Sequence, residues 1–487
     1  MRRIVLGGKE EAATARAMGA RKSGKCGSVR RLQSSSVRPS RFRQRFSSKL
    51  VAAAGVALLL SGQIARAAGF DEPGQSALGQ GVSNAGAAAG GALSSMFWNP
   101  AIITQSGRFA VEAGAFGILP HISQQGSSTI LPLGSSFGFT SDVGNSTLQA
   151  LAPNAYVSQQ ISDRFWLGLS INAPFGLADR FPNPAWAGAF YGQDASLKTY
   201  NVAPAIAVKL ADWISLGAGL QAEYAQANLT FVSAVLGPGI PALAQITAAG
   251  WGWGWTAGVT LTPTPTTHIG LGYRSAIDQD FSGSLAIAGG LSTPGSVTTT
   301  VKLPGSLNLG LRQALSPYLT LLGTVAWMDW SRIGTSNFTQ PDGTPALTPT
   351  GTPIKIPFEY RDGWFFSGGL EYVASPIWTL RTGFAYEISP VTDQVRVPLV
   401  PDNDRTWVSA GATAHITRYL SVDLAYSYIH LNSTPVNITP GHASFNEVVT
   451  YVGTANTHVN VLALAVRYVF DDLSSPPKPR RLKQRGS

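Results

Sequence analysis

The chain has 487 residues, of which 13% are charged and 10% aromatic, with 53 glycines; soluble domains typically carry about 25% charged residues. The formal charge of +10 is unevenly placed. Residues 1–67 hold 15 Lys/Arg against 2 Asp/Glu and residues 471–487 hold 5 against 2, leaving 16 basic and 22 acidic residues between them. The central part is therefore mildly acidic, which speaks against a nucleic-acid partner, since such a binder carries its basic stripe on the folded face. No apolar run reaches the ~18 residues of a spanning helix.

Near the start, Lys49 precedes the apolar run Val51–Leu60, and Ala65-Arg66-Ala67 follows it. A basic region, a short apolar core and an A-x-A site describe a secretory signal peptide. Residues 16–49 are Arg- and Ser-rich and also fit a transit peptide, but the apolar core leading directly into a cleavage site decides for export, with the mature chain starting at Ala68. Met18 is an alternative translation start. The single cysteine, Cys26, lies in the removable part, so the mature chain offers no disulfide, thiolate metal site or cysteine nucleophile. Residues 68–107 are rich in Gly, Ala and Ser and show no long periodicity. Small residues of this kind permit tight packing inside something else; Asn99-Pro100-Ala101 is the most distinctive point.

From Arg108 onward the pattern predicts fourteen strands, beginning near 108, 150, 165, 197, 213, 251, 267, 297, 318, 360, 378, 404, 420 and 457. Period-two alternation carries the assignment. Trp251, Trp253 and Trp255 share a face, with Gly250, Gly252 and Gly254 behind them reading as lumen space. In the last strand Leu462, Leu464, Val466, Tyr468 and Phe470 oppose Ala463, Ala465, Arg467 and Val469. Connections alternate between short turns, as at Ser162-Asp163, and long segments at 120–149, 175–196, 234–250, 281–296, 331–359, 389–403 and 435–456. That two-sided asymmetry is the signature of an even-stranded outer-membrane barrel with periplasmic turns and extracellular loops. The predicted fold is all-β, a fourteen-stranded antiparallel transmembrane β-barrel over 108–470. Both its ends lie on the periplasmic side, so that 68–107 enters from below, in position to fold into the lumen.

The long connections are unusually apolar. Residues 232–249 carry no charge, and 173–192 contain Phe175, Phe181, Trp186, Phe190 and Tyr191. Such segments either dock hydrophobic molecules or pack on one another as a lid. The six histidines form no close metal-ligand spacing, and no Ser/His/Asp arrangement or phosphate-binding glycine loop is evident, so neither catalysis nor a cofactor or metal is expected.

Several segments carry a family resemblance. Ala68-Gly69-Phe70, Asn99-Pro100-Ala101, Gly272-Tyr273-Arg274-Ser275, Trp327–Trp330 and the run Pro401–Gly411 (PDNDRTWVSAG) occur in the order found in the FadL/TodX-type outer-membrane transporters of long-chain fatty acids and hydrocarbons. The chain resembles that family over nearly all of 68–470. The resemblance implies that 68–107 fills the lumen as an N-terminal hatch, gated through Asn99, Pro100 and Ala101. It also implies an apolar extracellular landing site with Phe175 and Trp186 as ligand candidates, and a cationic contact for a fatty carboxylate from Arg274, Lys355 or Arg361. A side opening at a kinked strand is implied as the exit. Each cation is alternatively a lumen charge paired with an acidic neighbour such as Asp278, Glu359, Asp362 or Glu387, and Asp404 with Arg405 reads as a structural pair or network rather than a ligand site. The expected partners are a hydrophobic small molecule and outer-membrane lipid, with the barrel acting as a monomer. The competing function is a general porin for small polar solutes. The Pro-rich basic segment 471–487 departs from the family's usual ending at a terminal aromatic and reads as a disordered periplasmic tail.

Overall fold

The computed structural model describes residues 70–470, except 72–73, 132–133, 137–138, 140–141, 144–148, 182, 238–239, 289–294 and 349–350. The expected signal peptide and the basic tail lie outside the described residues. The described residues form fourteen antiparallel barrel strands: β1 (Phe109–Ile130), β2 (Ala150–Gln160), β3 in two pieces (Phe165–Asn172 and Gly176–Arg180), β4 (Asp194–Ala211), β5 (Ile214–Gly237), β6 (Ile240–Thr264), β7 in two pieces (Thr267–Arg274 and Ile277–Ile287), β8 in two pieces (Gly295–Leu303 and Ser306–Ala314), β9 (Leu319–Met328), β10 (Gly363–Val373), β11 (Trp378–Ile388), β12 (Arg405–His415), β13 (Leu420–Leu431, continued by Thr434–Ile438) and β14 (Val449–Phe470). Each pairs with its sequence neighbours, and β14 returns to β1 in unbroken register from Phe109↔Phe470 to Ile130↔Val449.

Closure follows from the solvent. In lipid an unpaired strand edge has no water to turn to, so only closed sheets span the bilayer. The alternation expected on β14 holds: Leu462, Leu464, Val466, Tyr468 and Phe470 face outward, while Ala463 and Ala465 are buried inside. Leu424, Tyr426 and Tyr428 of β13 face outward in the same way.

Three strands start earlier than the sequence pattern indicates. β4 begins at Asp194 instead of 197, β6 at Ile240 instead of 251, and β14 at Val449 instead of 457. The connection expected over 234–250 is therefore mostly a β-hairpin that prolongs β5 and β6. Its alternation is real, with Ala242, Ala244, Ile246 and Ala248 buried against exposed Gln245 and Thr247. Small residues and flanking Pro and Gly hide it from a hydropathy reading.

The glycines behind the tryptophans of β6 also differ from expectation, because they do not leave lumen space. Between the pairs Trp251↔Asp280 and Thr256↔Arg274, β7 carries one residue more than β6, a β-bulge. The bulged strand leans on the glycines. A Cβ at Gly254 would sit 2.8 Å from Ser275 Oγ, and one at Gly252 would overlap Ile277.

Inside the barrel lies the hatch. A one-turn helix α1 (Ala77–Gln80) is capped by Ser76, whose Oγ accepts from Gly79 N at 3.0 Å. Three 3-10 segments follow: Ala87–Ala89, Leu93–Phe97 and Pro100–Gln105. Most hatch residues are fully buried. Its backbone runs directly against wall glycines: a side chain at Gly270 would strike Ala88, at Gly272 Trp98 and at Gly383 Val82, while one at Gly258 would strike the Asn99 side chain. The wall glycines and the small hatch residues therefore answer one geometric demand, backbone-to-backbone approach.

Gly272→Val is accordingly expected to displace the hatch, raising its cleavage by added protease and the ion leak of the barrel. Gly368→Val, where a Cβ meets nothing within 4 Å, should leave both at wild-type level. Equal behaviour of the two variants would contradict this packing.

Candidate functional site

The connections on the extracellular side fold over the barrel mouth. Trp186 is completely buried and stacks on Phe181 with ring centroids 4.0 Å apart, and Tyr451 approaches it edge-on at 5.9 Å. Trp186 thus belongs to the packed loop core. Of the two readings of the apolar loops, mutual packing describes 173–192.

Beneath this layer lies an apolar cavity of about 360 Å³. Leu229 and Phe231 of β5, Ile246 of β6, Phe281 of β7 and Leu303 of β8 line it, joined by the loop residues Phe338 and Phe358. Of the strand extensions missed from the sequence, β4 adds Ala195 and Ser196 and β6 adds Ile246 and Ala248 to this lining. Lys355, on a short strand Lys355–Pro357 paired with Thr335–Asn337, is the only charged residue among the described residues that line the cavity. It is exposed at the mouth, with no acidic partner among the described residues. The other two candidate cations lie elsewhere. Arg361 is on the rim, its Nε donating to Ser389 O at 3.0 Å and its guanidinium 3.9 Å from Asp404. Arg405 is buried and paired with Asp402 at 2.6 Å, while Asp404 accepts from Tyr386 Oη and Ser389 N. The expected Asp404–Arg405 pair is therefore two separate structural pairs, neither of them lining the apolar cavity.

The floor of the cavity is Phe70. Its ring meets Trp330 edge-on at 4.9 Å, Phe358 at 5.9 Å and Phe175 at 6.4 Å. Below this aromatic group is a second, more polar space of about 90 Å³, lined by Asp71, Gln221, Arg274, Asn308 and Glu387 among others. Arg274 is fully engaged there. It donates to Phe97 O at 3.1 Å and to Gln221 Oε1, and lies 4.0 Å above the Phe97 ring. The aromatic residues at this boundary come from segments far apart in sequence, so only the fold brings them together; Phe70, Phe175 and the Trp327–Trp330 run each stand out locally, and Phe358 does not.

At the same height the wall is interrupted. β3 breaks at Ala173-Pro174-Phe175, and Pro174 cannot donate a ladder hydrogen bond. The lower piece pairs with both β2 and β4, the upper piece with β4 alone. Residues Phe70, Asp71 and Gln75 fill the break. Gly176 N donates to Phe70 O at 2.8 Å, Asp71 and Phe175 form an antiparallel bridge, and Gln75 Nε2 donates to Ala173 O at 2.8 Å. Across the break, Asn154 and Tyr156 of β2 donate to Gln75 O at 3.1 and 2.7 Å.

Asn99 anchors the hatch to the wall. Its Oδ1 accepts from Ala101 N at 3.0 Å, capping the Pro100–Gln105 segment, and its Nδ2 donates to Ala88 O at 2.8 Å and Val259 O at 3.0 Å. Pro100 occupies the first helical position, where no donor is needed, and Ala101 packs over Gly217. Lower still, the lumen carries a ring of opposite charges: Arg312–Glu371 at 3.0 Å, Arg381–Glu371 at 2.8 Å and Arg467–Asp423 at 2.8 Å. Glu112 and Arg467 tie this layer to the hatch through Ser94 N and Gly91 O.

A closed fourteen-stranded barrel with an internal hatch, an apolar cavity above it and a patched wall break defines the class, a plugged outer-membrane passage. The comparisons agree. The model of the family described as outer membrane protein transport protein (OMPP1/FadL/TodX) matches residues 58–470, and the chain belongs to that family. It is 30% identical to the long-chain fatty acid transport protein of Salmonella typhi, over 80% of this chain and 93% of that one. It is 27% identical to outer membrane protein P1 of Haemophilus influenzae, over 88% and 100%. Among solved structures a Pseudomonas aeruginosa FadL homologue superposes with a TM-score of 0.74 at 22% identity, covering 83% of this chain and all of that one. The Pseudomonas putida toluene transporter TodX superposes with a TM-score of 0.60 at 16% identity, covering 82% and 99%. These two share the fold.

Asn99→Ala removes the cap on Ala101 N and leaves the buried Ala88 carbonyl without its donor, at about 1–3 kcal/mol, while the barrel wall keeps its ladder. Uptake of an apolar tracer should fall severalfold with normal outer-membrane levels and heat-modifiable mobility. Lost barrel assembly would make Asn99 structural only, and unchanged uptake would remove it from gating.

Proposed function

We propose that the protein takes up amphipathic hydrophobic compounds across the outer membrane, long-chain fatty acids foremost. In this reading the acyl chain binds in the apolar cavity and the carboxylate pairs with Lys355. The observation that carries it is Lys355, among the described residues the one charged side chain lining a largely apolar chamber and without an acidic partner there. Burying about ten methylenes at ~0.8 kcal/mol each gives ~8 kcal/mol, the scale of a micromolar dissociation constant before ordering costs. The headgroup stays near water, where a charge costs little to hold, while the tail leaves it. The fatty acid transport proteins among the relatives support this cargo, and the hydrocarbon channels sharing the fold support a pocket that selects for apolar volume. A transport role, with the barrel acting as a monomer in outer-membrane lipid and without enzymatic activity, completes the reading.

The exit follows from what lies below. Cargo continuing straight down would meet the buried polar space and then the Arg/Glu/Asp ring, where an acyl chain gains nothing. The break in β3, whose Pro174 and Phe175 line that polar space beside the Phe70 floor, offers instead a way out toward lipid. It is sealed by the Phe70–Gln75 arm through a handful of hydrogen bonds, each worth about 0.5–1.5 kcal/mol net. Withdrawal of the arm is a small local opening that leaves the barrel intact, and Phe70, as floor and first residue of the arm, couples the cavity to the gate. A porin for small polar solutes fits these features poorly, since its conduction needs a water-filled constriction.

Two outcomes test this. Lys355→Met should weaken binding of a fatty acid about tenfold or more and leave binding of an alkane of equal length unchanged; equal effects on both ligands would remove the carboxylate contact. Pairing Asp71→Cys with Phe175→Cys, in a mature chain expected to hold no other cysteine, should abolish uptake when oxidised and restore it with reductant. Undiminished uptake by the fully oxidised variant would refute the arm as gate.

A further inference from the structure

Three histidines that play no part in the passage line up across the seam where the barrel closes. His121 of β1 stands directly opposite His458 of β14, and His430 of β13 directly opposite His458 on its other side. All three project outward, since their chain neighbours Ile122, Val459 and Ile429 are buried inside. The row sits just above the lipid belt. Going up β14 the outward residues run Phe470, Tyr468, Val466, Leu464, Leu462, then Asn460 and His458, so the imidazoles lie at headgroup level on the extracellular side, within reach of water. The rings of His121 and His458 are 4.9 Å apart and only 31° from parallel. Tyr428 packs beside His458 at 5.7 Å.

We infer that His121 and His458 form a surface site for a divalent transition-metal ion, copper or zinc, that clamps the first barrel strand to the last. Neutral imidazole is a preferred ligand for both ions, and metal–nitrogen bonds of about 2.0–2.1 Å are within reach of two rings at this spacing. Directly opposed residues on paired strands hold their Cβ atoms about 4.5–5.5 Å apart, so the two side chains start from a fixed base. Neither ring has a hydrogen-bond partner among the described residues that would hold its nitrogens away from an ion. Among the described residues no three ligating side chains converge on one point, in keeping with a row in which His430 and His121 stand on opposite sides of His458. The site is therefore two imidazoles completed by water, open to the outside. Its place on the seam gives the ion a mechanical role: the β14–β1 pairing joins the two ends of the barrel sequence, and an ion shared across it opposes their separation.

The test uses the protein extracted from outer membranes in detergent, without a histidine tag and stripped by chelator. Titrated with Cu²⁺ it should bind one equivalent, with electron paramagnetic resonance showing coupling to two imidazole nitrogens. His121→Asn and His458→Asn, each checked for heat-modifiable mobility, should each lower the affinity by about tenfold or more. His442→Asn, in a distant loop, should bind as wild type. Zn²⁺ should raise the unfolding temperature of the wild type and leave that of His458→Asn unmoved. Absence of imidazole coupling, wild-type affinity in either seam variant, or loss of binding in His430→Asn but not in His121→Asn would overturn the assignment.

Discussion

The hydrocarbon surroundings leave no backbone group at a lipid-facing edge without a partner, and most of this structure follows from that demand. It explains why β14 returns to β1 over its whole length, and why outward residues are Leu, Val and aromatics while inward ones are small or paired. It also makes the split in β3 conspicuous. There the ladder toward β2 stops, and the carbonyls and amides of the break are met by Phe70, Asp71 and Gln75 instead of by a neighbouring strand. The only segment able to do this is one already inside the barrel. The hatch arm is thus at once the plug of the lumen and the missing patch of the wall.

Chemistry is layered along the barrel axis to match. A packed aromatic lid, an apolar chamber with one cation at its mouth, an aromatic floor, a polar space, the hatch and a ring of paired charges follow in turn. The charges of the ring compensate one another, with Arg312, Arg381 and Arg467 facing Glu371, Asp423 and Glu112. Buried charges without such partners would be costly. The ring carries no net charge to attract ions, and it offers an acyl chain no apolar surface. The wall glycines serve the same layering by letting the hatch backbone lie flat on the barrel.

Much of this was legible in the sequence. Alternation on β13 and β14, the short and long connections and the small residues of 70–107 gave the strand number, the closure and the hatch, because each is a local periodicity or composition. Boundaries failed where apolar strand extensions rise above the membrane, since both faces of the β5–β6 hairpin carry small residues and the period fades. The glycines of β6 were misread because their neighbour is a bulge in β7, a tertiary event with no local trace. The resemblance implies Lys355 only as one of three cations, and the fold alone sets it at the chamber mouth. Arg274 and Arg361 look equivalent to it in sequence, yet Arg274 is held by Phe97 O and Gln221, and Arg361 lies beside Asp404. Phe70 could be seen as part of the expected mature start but not as a floor, because Phe175 reaches it from the break in β3 and Trp330 and Phe358 from opposite ends of the β9–β10 connection.

The account stands or falls on the route taken by the cargo. A long-chain fatty acid with a photoreactive group at its tail, bound to the protein in outer-membrane vesicles and cross-linked during uptake, maps that route by the peptides it labels. Labelling concentrated on the chamber residues around Phe231 and Phe338, and then on 70–75 and 173–176 at the break, is the predicted result. Labelling of the charged ring around Arg381 and Arg467, with the break untouched, would show passage straight through the lumen and contradict it.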